Sequence, residues 1–139
     1  MQYFVVEPEV PGELGPRTVL ERSTHPPKVL SLHYIFLGWL GDHLVESFPV
    51  FLISKALEEE FQSRNVSGYR TSSAEIEVSP DLLESSPGLS IPSFLQMEII
   101  GKKDSDDLFL AEDHRLVISE RVKSIAEDLG TSHWDLTPM

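Results

Sequence analysis

Val50-Phe51-Leu52-Ile53-Ser54 and Leu116-Val117-Ile118-Ser119 are two short apolar runs that each end in a serine. Each run fits a buried strand. The serine fits a helix N-cap, because its hydroxyl can accept a free backbone N–H of the first helical turn. The residues after each serine have apolar positions at helical spacing. The sequence therefore predicts two strand-to-helix junctions, with helices that begin near Lys55 and Glu120.

The two junctions are related by a constant offset along the chain, the 65 residues that separate Ser54 from Ser119. The same offset aligns further residues of the two helices and of the strands after them, namely Leu57 with Val122, Phe61 with Ala126, Ser67 with Ser132 and Tyr69 with Trp134. Two explanations stay open: a duplicated strand-helix-strand unit, and chance recurrence of a common pattern in an α+β protein.

Outside the junctions, alternating apolar residues predict strands, and Pro- and Gly-rich stretches predict the connections. The predicted strands are Tyr3–Val6, Thr18–Glu21, Lys28–Leu37 as one strand or as two strands with a bend, Leu44-Val45, Ala74–Val78, Phe94–Ile100, Arg115–Ile118 and His133–Leu136. Glu7–Pro16 and Ser79–Ser93 are predicted loops, and Gly101–Asp107 is a predicted solvated acidic turn. We therefore expect an α+β fold: one domain over residues 1–139, with a mostly antiparallel sheet and two helices packed on it.

Within this single domain, we expect residues 1–27 to form a Pro/Gly-rich N-terminal arm and residues 28–139 to form the main body. The apolar positions of the strands and helices predict one core. Its members are Val29, Leu32, Trp39, Phe51, Ile53, Leu57, Phe61, Ile76, Phe94, Ile99, Leu116, Ile118, Val122, Ile125 and Trp134.

The composition excludes several classes of function. A net charge of −12 opposes direct binding of nucleic acid. The absence of cysteine excludes disulfides, thiolate metal sites and a cysteine nucleophile, and is compatible with a reducing compartment. No apolar run reaches the roughly 18 residues of a membrane span, and the chain does not start like a secretory signal. We expect a cytoplasmic protein without a membrane partner.

The negative charge is concentrated in the second half of the chain. Residues 1–70 hold 6 basic and 9 acidic side chains, whereas residues 71–139 hold 5 and 14. No lysine or arginine lies between Thr71 and Gly101, so the acidic residues there have no partner within their own segment. The charge could serve solubility alone. It could also steer a basic partner, and the predicted partner-binding residues are then Glu75, Glu77, Asp81 and Glu84.

Motifs of catalysis are missing from the sequence. The five histidines follow no metal-ligand spacing, and a calcium loop counted from Asp104 would place Phe109 and Arg115 where a glycine and a glutamate are needed. Neither capping serine lies in a Gly-x-Ser-x-Gly motif, and no Gly-rich phosphate loop joins a strand to a helix. We predict no catalytic residue, no metal and no cofactor.

Trp39 is a large aromatic residue in a turn, between Gly38 and the pair Gly41-Asp42. The favoured interpretation is a core residue whose indole N–H finds a backbone acceptor. An exposed tryptophan at this turn would instead be a binding anchor.

Several stretches between Val29 and the C-terminus are similar to a bacterial immunity-protein-like family linked with polymorphic toxin systems. The similar stretches are Leu44–Ser54, Gly68-Tyr69, Glu75–Ser79, Asp107, Phe109, Asp113–Arg121 and Leu129–Trp134. The resemblance implies an α+β fold and a role in neutralising a toxin, but transfers no catalytic residue. Some relatives carry paired Cys-x-x-Cys-Gly motifs, and this chain has no cysteine, so no metal binding carries over.

Resemblance and charge together predict a non-enzymatic immunity or antitoxin-like protein that covers a basic toxin with acidic side chains. A small hydrolase or metal-dependent enzyme is an alternative, with His33, His43, Asp42 and His114 as candidate site residues, because distant residues can assemble a site that leaves no local motif. A homo-oligomeric structural or regulatory protein, such as a homodimer, is a third class.

Overall fold

A computed structural model describes residues 2–139, which contain 3 helices and 13 strands. The helices account for 17% of the chain and the strands for 39%. The strands are β1 (Tyr3–Glu7), β2 (Gly12–Leu14), β3 (Val19–Glu21), β4 (Lys28–Ser31), β5 (His33–Phe36), β6 (Leu44–Ser47), β7 (Val50–Ser54), β8 (Tyr69–Ser72), β9 (Glu75–Val78), β10 (Phe94–Ile99), β11 (Leu108–Leu110), β12 (Leu116–Ser119) and β13 (Asp135–Pro138). The helices are α1 (Lys55–Ser63), α2 (Pro80–Ser85) and α3 (Glu120–Asp128). The predicted α+β class and single domain are confirmed.

Both predicted strand-to-helix junctions are present. β7 runs directly into α1, and the Ser54 hydroxyl accepts the backbone N–H of Leu57 at 3.1 Å. β12 runs into α3 in the same way, with Ser119 accepting from Val122 at 3.4 Å. Both serines are buried, so each cap satisfies a backbone donor where water cannot.

Two antiparallel four-stranded sheets share one plan. Their strand orders are β6-β7-β10-β8 and β11-β12-β1-β13. In each sheet a strand pair leads into a helix, and the strand after the helix lies at the far edge. The strand between them comes from the other half of the chain, since β10 enters the first sheet and β1 the second. Each half therefore lends one strand to the sheet of the other.

The register of these strands repeats the 65-residue offset of the capping serines. Phe94 of β10 lies opposite Ser54, and Tyr3 of β1 lies opposite Ser119. The partners on the other side keep the offset as well, with Gln96 opposite Ser72 and Val5 opposite Thr137. The matching registers of β7, β10 and β8 with β12, β1 and β13 favour a duplicated unit over chance recurrence, because chance similarity of two short runs would not extend to their partner strands.

The core consists of two main clusters rather than one, because β7 is buried on both faces. Phe51 and Ile53 face α1 and α3, while Val50 and Leu52 pack against β5 and β10. Of the predicted core residues, Leu32, Phe51, Ile53, Leu57, Phe61, Phe94, Leu116, Ile118, Val122 and Ile125 are buried, and Val29, Trp39, Ile76, Ile99 and Trp134 pack half-buried at the edges.

The structure corrects the prediction of two helices and of a loop over Ser79–Ser93. That segment contains α2, in which the Ser79 hydroxyl accepts the N–H of Leu82 at 3.1 Å and Pro80 occupies the first turn. Proline is favoured there because its missing N–H needs no partner. Leu82 is buried in the second cluster, and this tertiary contact stabilises a helix too short to be stable alone.

The predicted N-terminal arm, over its described residues 2–27, does not lie outside a main body. β1 lies between β12 and β13, and β2 pairs with β5 in a third sheet of order β2-β5-β9. The predicted surface loop Glu7–Pro16 therefore contains a strand and the buried Pro8, Glu9 and Pro11. The proline and glycine content of this segment correctly indicated that much of its backbone is irregular. The segment is not a surface loop, however, because it packs against the sheets.

Two acidic residues are buried and find hydrogen-bond donors within the fold. Glu58 on α1 accepts the Tyr69 hydroxyl at 2.6 Å and the Gln62 amide at 2.7 Å. Asp107, placed by the sequence in a solvated turn, lies beneath Arg121 and accepts its guanidinium hydrogen bonds. In both cases a distant hydrogen-bond donor compensates for the lost hydration.

Candidate partner-binding site

The four predicted partner-binding carboxylates lie on two adjoining elements in different environments. Glu75 and Glu77 are on β9, and Asp81 and Glu84 are exposed on α2. Arg17, far away in sequence, donates from Nε to both Glu75 carboxylate oxygens, at 3.0 and 2.9 Å. These hydrogen bonds lower the pKa of Glu75. The β9 carboxylates are therefore already engaged, whereas those of α2 have no ion-pair partner among residues 2–139.

His33 lies below the surface next to Arg17, Glu75 and Glu77. The ring is buried, and its Nε2 lies 3.1 Å from the Glu77 carboxylate and 3.1 Å from the Arg17 guanidinium. His33, Glu75 and Glu77 offer ligand atoms within 4.8 Å of one another, which is compatible with a metal ion. The Arg17 guanidinium, however, already supplies the positive charge that such an ion would bring.

The histidines proposed for an enzyme site have different neighbours. His33 contacts Arg17, His43 contacts Ser54, and His114 stacks edge-on with His25 at 5.8 Å. Asp42, the fourth candidate, accepts the backbone N–H groups of Ser132 and His133. The enzyme hypothesis requires these side chains to converge in one cleft, and their contacts do not bring the three histidine rings together.

His43 and Ser54 form a close pair, with Nδ1 and Oγ 2.6 Å apart. Ser54 already accepts the Leu57 N–H, so its hydroxyl proton is available for His43 Nδ1. Burial lowers the pKa of His43, against the opposing effect of the Asp42 charge. Because Ser54 is fully buried as a helix cap, this pair fixes the junction of β7 and α1 and presents no accessible nucleophile.

A pocket of about 720 Å³ lies where three distant parts of the chain meet. Its walls come from residues 7–12, 37–40, and the pair His133 and Asp135. Glu7, Glu9 and Asp135 give the walls acidic character, and none of the lining residues within the described chain 2–139 is lysine or arginine. Around it, Val10, Leu37 and Leu40 are 65%, 51% and 66% exposed, so apolar side chains border an acidic pocket.

Buried carboxylates hold the pocket loops together. Glu9 accepts the backbone N–H groups of Leu40 at 2.7 Å and Asp42 at 3.2 Å. Asp42, fully buried, accepts those of Ser132 at 2.9 Å and His133 at 2.8 Å. The three segments are thus connected by charge-assisted hydrogen bonds that are about twice as strong as neutral ones.

Trp39 forms part of the pocket wall and of the core at once. Its indole N–H donates to the Asp42 carbonyl at 2.7 Å, as the core interpretation predicted, and its ring packs edge-on against Phe94 at 6.3 Å. The hydrogen bond fixes the orientation of the ring, so this wall is preformed.

Glu9, Asp42 and His133 also offer ligand atoms within 4.8 Å of one another. Every carboxylate oxygen of Glu9 and Asp42 already accepts a backbone N–H, and His133 Nδ1 lies 3.1 Å from Asp42. The group could hold a cation only through the remaining lone pairs of these oxygens.

Sequence reasoning missed the pocket, although it singled out Trp39 and Asp42. Glu9 lay in a predicted loop and Asp135 in a predicted strand, and no local pattern indicates that the two meet. One signal was available: the 65-residue offset aligns Asp135 with Arg70, a reversal of charge at equivalent positions.

Replacing Asp42 with asparagine should lower the free energy of unfolding by about 1–3 kcal/mol, because the amide cannot accept both N–H groups that the carboxylate accepts. Urea unfolding of the purified variant would measure the change. Asp128→Asn, an exposed change, is the matched control and should be within about 0.5 kcal/mol of the parent. Equal stability of both variants would contradict the anchoring role of Asp42.

Comparison with known protein families and with curated proteins finds no match for this chain. The similarity to immunity proteins therefore stays an expectation from the sequence. Separately, within residues 2–139, no helix has the length and apolarity needed to cross a membrane.

Proposed function

We propose that this protein is a non-enzymatic binding protein of the immunity or antitoxin type, which neutralises a basic bacterial toxin in the cytoplasm by covering it with an acidic surface. The observation that carries the proposal is the excess of exposed carboxylates without an ion-pair partner among the described residues. In the second half these include Asp81, Glu84, Glu112, Glu120, Asp128 and Asp135.

Unpaired surface carboxylates support binding because their field attracts a basic partner over long distance. A surface of one sign can raise an association rate by roughly 10- to 1000-fold, and salt at 0.1 M screens this attraction at distances beyond about 10 Å. Glu75 and Glu77 contribute less than the sequence indicated, since Arg17 neutralises part of their charge. Asp81 and Glu84 on α2 are the carboxylates of the predicted set best placed for steering.

The test uses the product of the neighbouring open reading frame as the partner. The double variant Asp81→Lys/Glu84→Lys should slow association by about tenfold at low ionic strength, with little change in dissociation, because exposed charges act mainly on encounter. Rapid-mixing fluorescence or surface plasmon resonance at several salt concentrations would measure both rates. Growth with the partner co-expressed would report neutralisation.

The control variant Glu21→Lys/Glu59→Lys carries the same change in net charge outside α2 and should slow association less. If the two variants behave alike, the acidity acts through net charge and not through this face. If the parent protein neither binds nor protects against its genetic neighbour, the proposed function is wrong for that partner class.

A further inference from the structure

The acidic pocket contains a pair of like charges in direct opposition. Glu7 of β1 and Asp135 of β13 are cross-strand partners in the register of the second sheet, and both line the pocket. Like charges directly opposite each other destabilise a strand pair. A positive charge placed between them would remove that repulsion.

The equivalent position of the first sheet already has such a charge. There Glu98 of β10 lies opposite Arg70 of β8, and the guanidinium donates to both carboxylate oxygens, at 3.0 and 2.8 Å. Arg70 and Asp135 are related by the same offset as the capping serines, so the two pairs occupy equivalent sites of the two sheets. In the first sheet, Arg70 neutralises Glu98. In the second sheet, the equivalent pair consists of two carboxylates, Glu7 and Asp135.

We propose that the acidic pocket binds an arginine side chain of the partner protein, which takes the place that Arg70 fills in the other half. The inference rests on the proposed function, because it assumes a basic protein partner. Glu7 and Asp135 would accept the guanidinium hydrogen bonds, and the aliphatic part of the arginine would lie along Val10, Leu37 and Leu40.

The shape of the site favours a side chain over a bare ion. The pocket has about 720 Å³ of space and a border of exposed apolar residues, which an ion could not cover. The planar guanidinium matches pairs of carboxylates through several fixed donors, and arginine is enriched in the most important contacts of interfaces. Because the hydrogen bonds that Glu9 accepts and Trp39 donates hold the walls in place, binding would cost little ordering of the loops.

The direct test titrates the 15N-labelled protein with N-acetyl-arginine amide. The Trp39 indole signal and the amides of Gly12 and Leu40 should shift with saturation at millimolar concentration, about the affinity expected for one side chain. N-acetyl-citrulline amide, which has the same shape without the charge, should bind at least roughly tenfold more weakly. Absence of a saturable shift with the arginine ligand, or equal binding of citrulline, would overturn the proposal.

Calcium and zinc salts form a separate arm of the titration. If either metal ion shifts the same signals and the arginine ligand does not, the pocket is a metal-ion site and the proposal is wrong.

The second test fills the pocket from within the chain. Asp135→Arg recreates the arrangement of Arg70 and Glu98, so the thermal midpoint should stay equal or rise while binding of the arginine ligand is lost. Glu59→Arg on α1 makes the same change in charge outside the pocket and should leave ligand binding unchanged. A variant Asp135→Arg that binds the arginine ligand like the parent would contradict the proposal.

The same two variants separate this inference from the function it rests on. If the neighbouring gene product binds the parent and Asp135→Arg equally well, the pocket is not the contact, although the binding function stands. If it binds neither protein while the arginine ligand still binds the parent, the pocket chemistry holds and the assumed partner is wrong.

Discussion

Replacing Phe61 with alanine is expected to lower the free energy of unfolding by about 4 kcal/mol, because the change removes a whole aromatic ring from the core. The side chain is fully buried on α1 and packs edge-on against Tyr69 at 5.4 Å. It belongs to the cluster in which α1 and α3 meet β7 and β12, so its loss would leave a cavity between the two halves. Urea unfolding at neutral pH, followed by far-UV circular dichroism, would measure the change.

Leu83→Ala is the control for this prediction. Leu83 is 56% exposed on α2, so its truncation should change stability by less than about 0.5 kcal/mol. A Phe61 variant that loses much less than about 2 kcal/mol would contradict its placement in a tightly packed core.

Asp107→Ala is expected to lower stability by about 3 kcal/mol at neutral pH, because it removes the counter-charge of Arg121 and leaves other donors unpaired. The carboxylate accepts hydrogen bonds from Ser119 at 2.7 Å, from Arg121 at 2.9 and 2.6 Å, and from the Ser67 N–H at 3.1 Å. Arg121 also donates to the carbonyls of Arg64 and Asn65, so the network joins α3 to the end of α1.

The contribution of Asp107 should also depend on pH. Burial alone would raise the pKa of Asp107, but hydrogen bonds from Arg121, Ser119 and Ser67 outweigh burial and lower it to about 2. A carboxyl group with a lowered pKa stabilises the folded state above its unfolded value near 3.9, and this stabilisation is lost as the pH falls toward 2. The shift corresponds to about 2 kcal/mol.

The stability difference between the parent protein and Asp107→Ala should therefore shrink as the pH is lowered from about 5 to 2. Asp113→Ala is the matched control, since its ion pair with Arg115 is exposed to solvent and should contribute little to stability. A pH-independent difference for Asp107 would mean that the charge of its carboxylate is not what stabilises the network.

Local sequence patterns were sufficient to predict the strands and helices whose signals lie within a few neighbouring residues. The two apolar runs with their capping serines predicted β7, β12, α1 and α3, because strand period, cap chemistry and helical spacing are all short-range properties. The same reasoning missed α2, whose six residues depend on the burial of Leu82. It also missed β2 and β11, three-residue strands that exist only because a partner strand lies beside them.

The candidate site was only partly accessible to sequence reasoning. An arginine-free segment identified Glu75, Glu77, Asp81 and Glu84 as acidic, but Arg17 reaches β9 from another part of the chain. Side-chain pairing between distant segments depends on how strands are ordered in the sheets. Predicting the acidic pocket would also have required the order of the strands in the sheets. Glu7 and Asp135 are 128 positions apart in sequence and become neighbours only because β1 pairs with β13.

The sequence by itself determined the two junctions, the α+β class and the acidic character, because these follow from neighbouring residues and from composition. The tertiary structure alone decided that β1 and β10 exchange between the halves, and with them which charges face each other. Arg70 opposite Glu98 forms an ion pair, whereas Asp135 opposite Glu7 leaves two carboxylates at a pocket. Backbone hydrogen bonds between strands carry no sequence code, so pairing is selected by the burial of whole faces and becomes visible only in the folded chain.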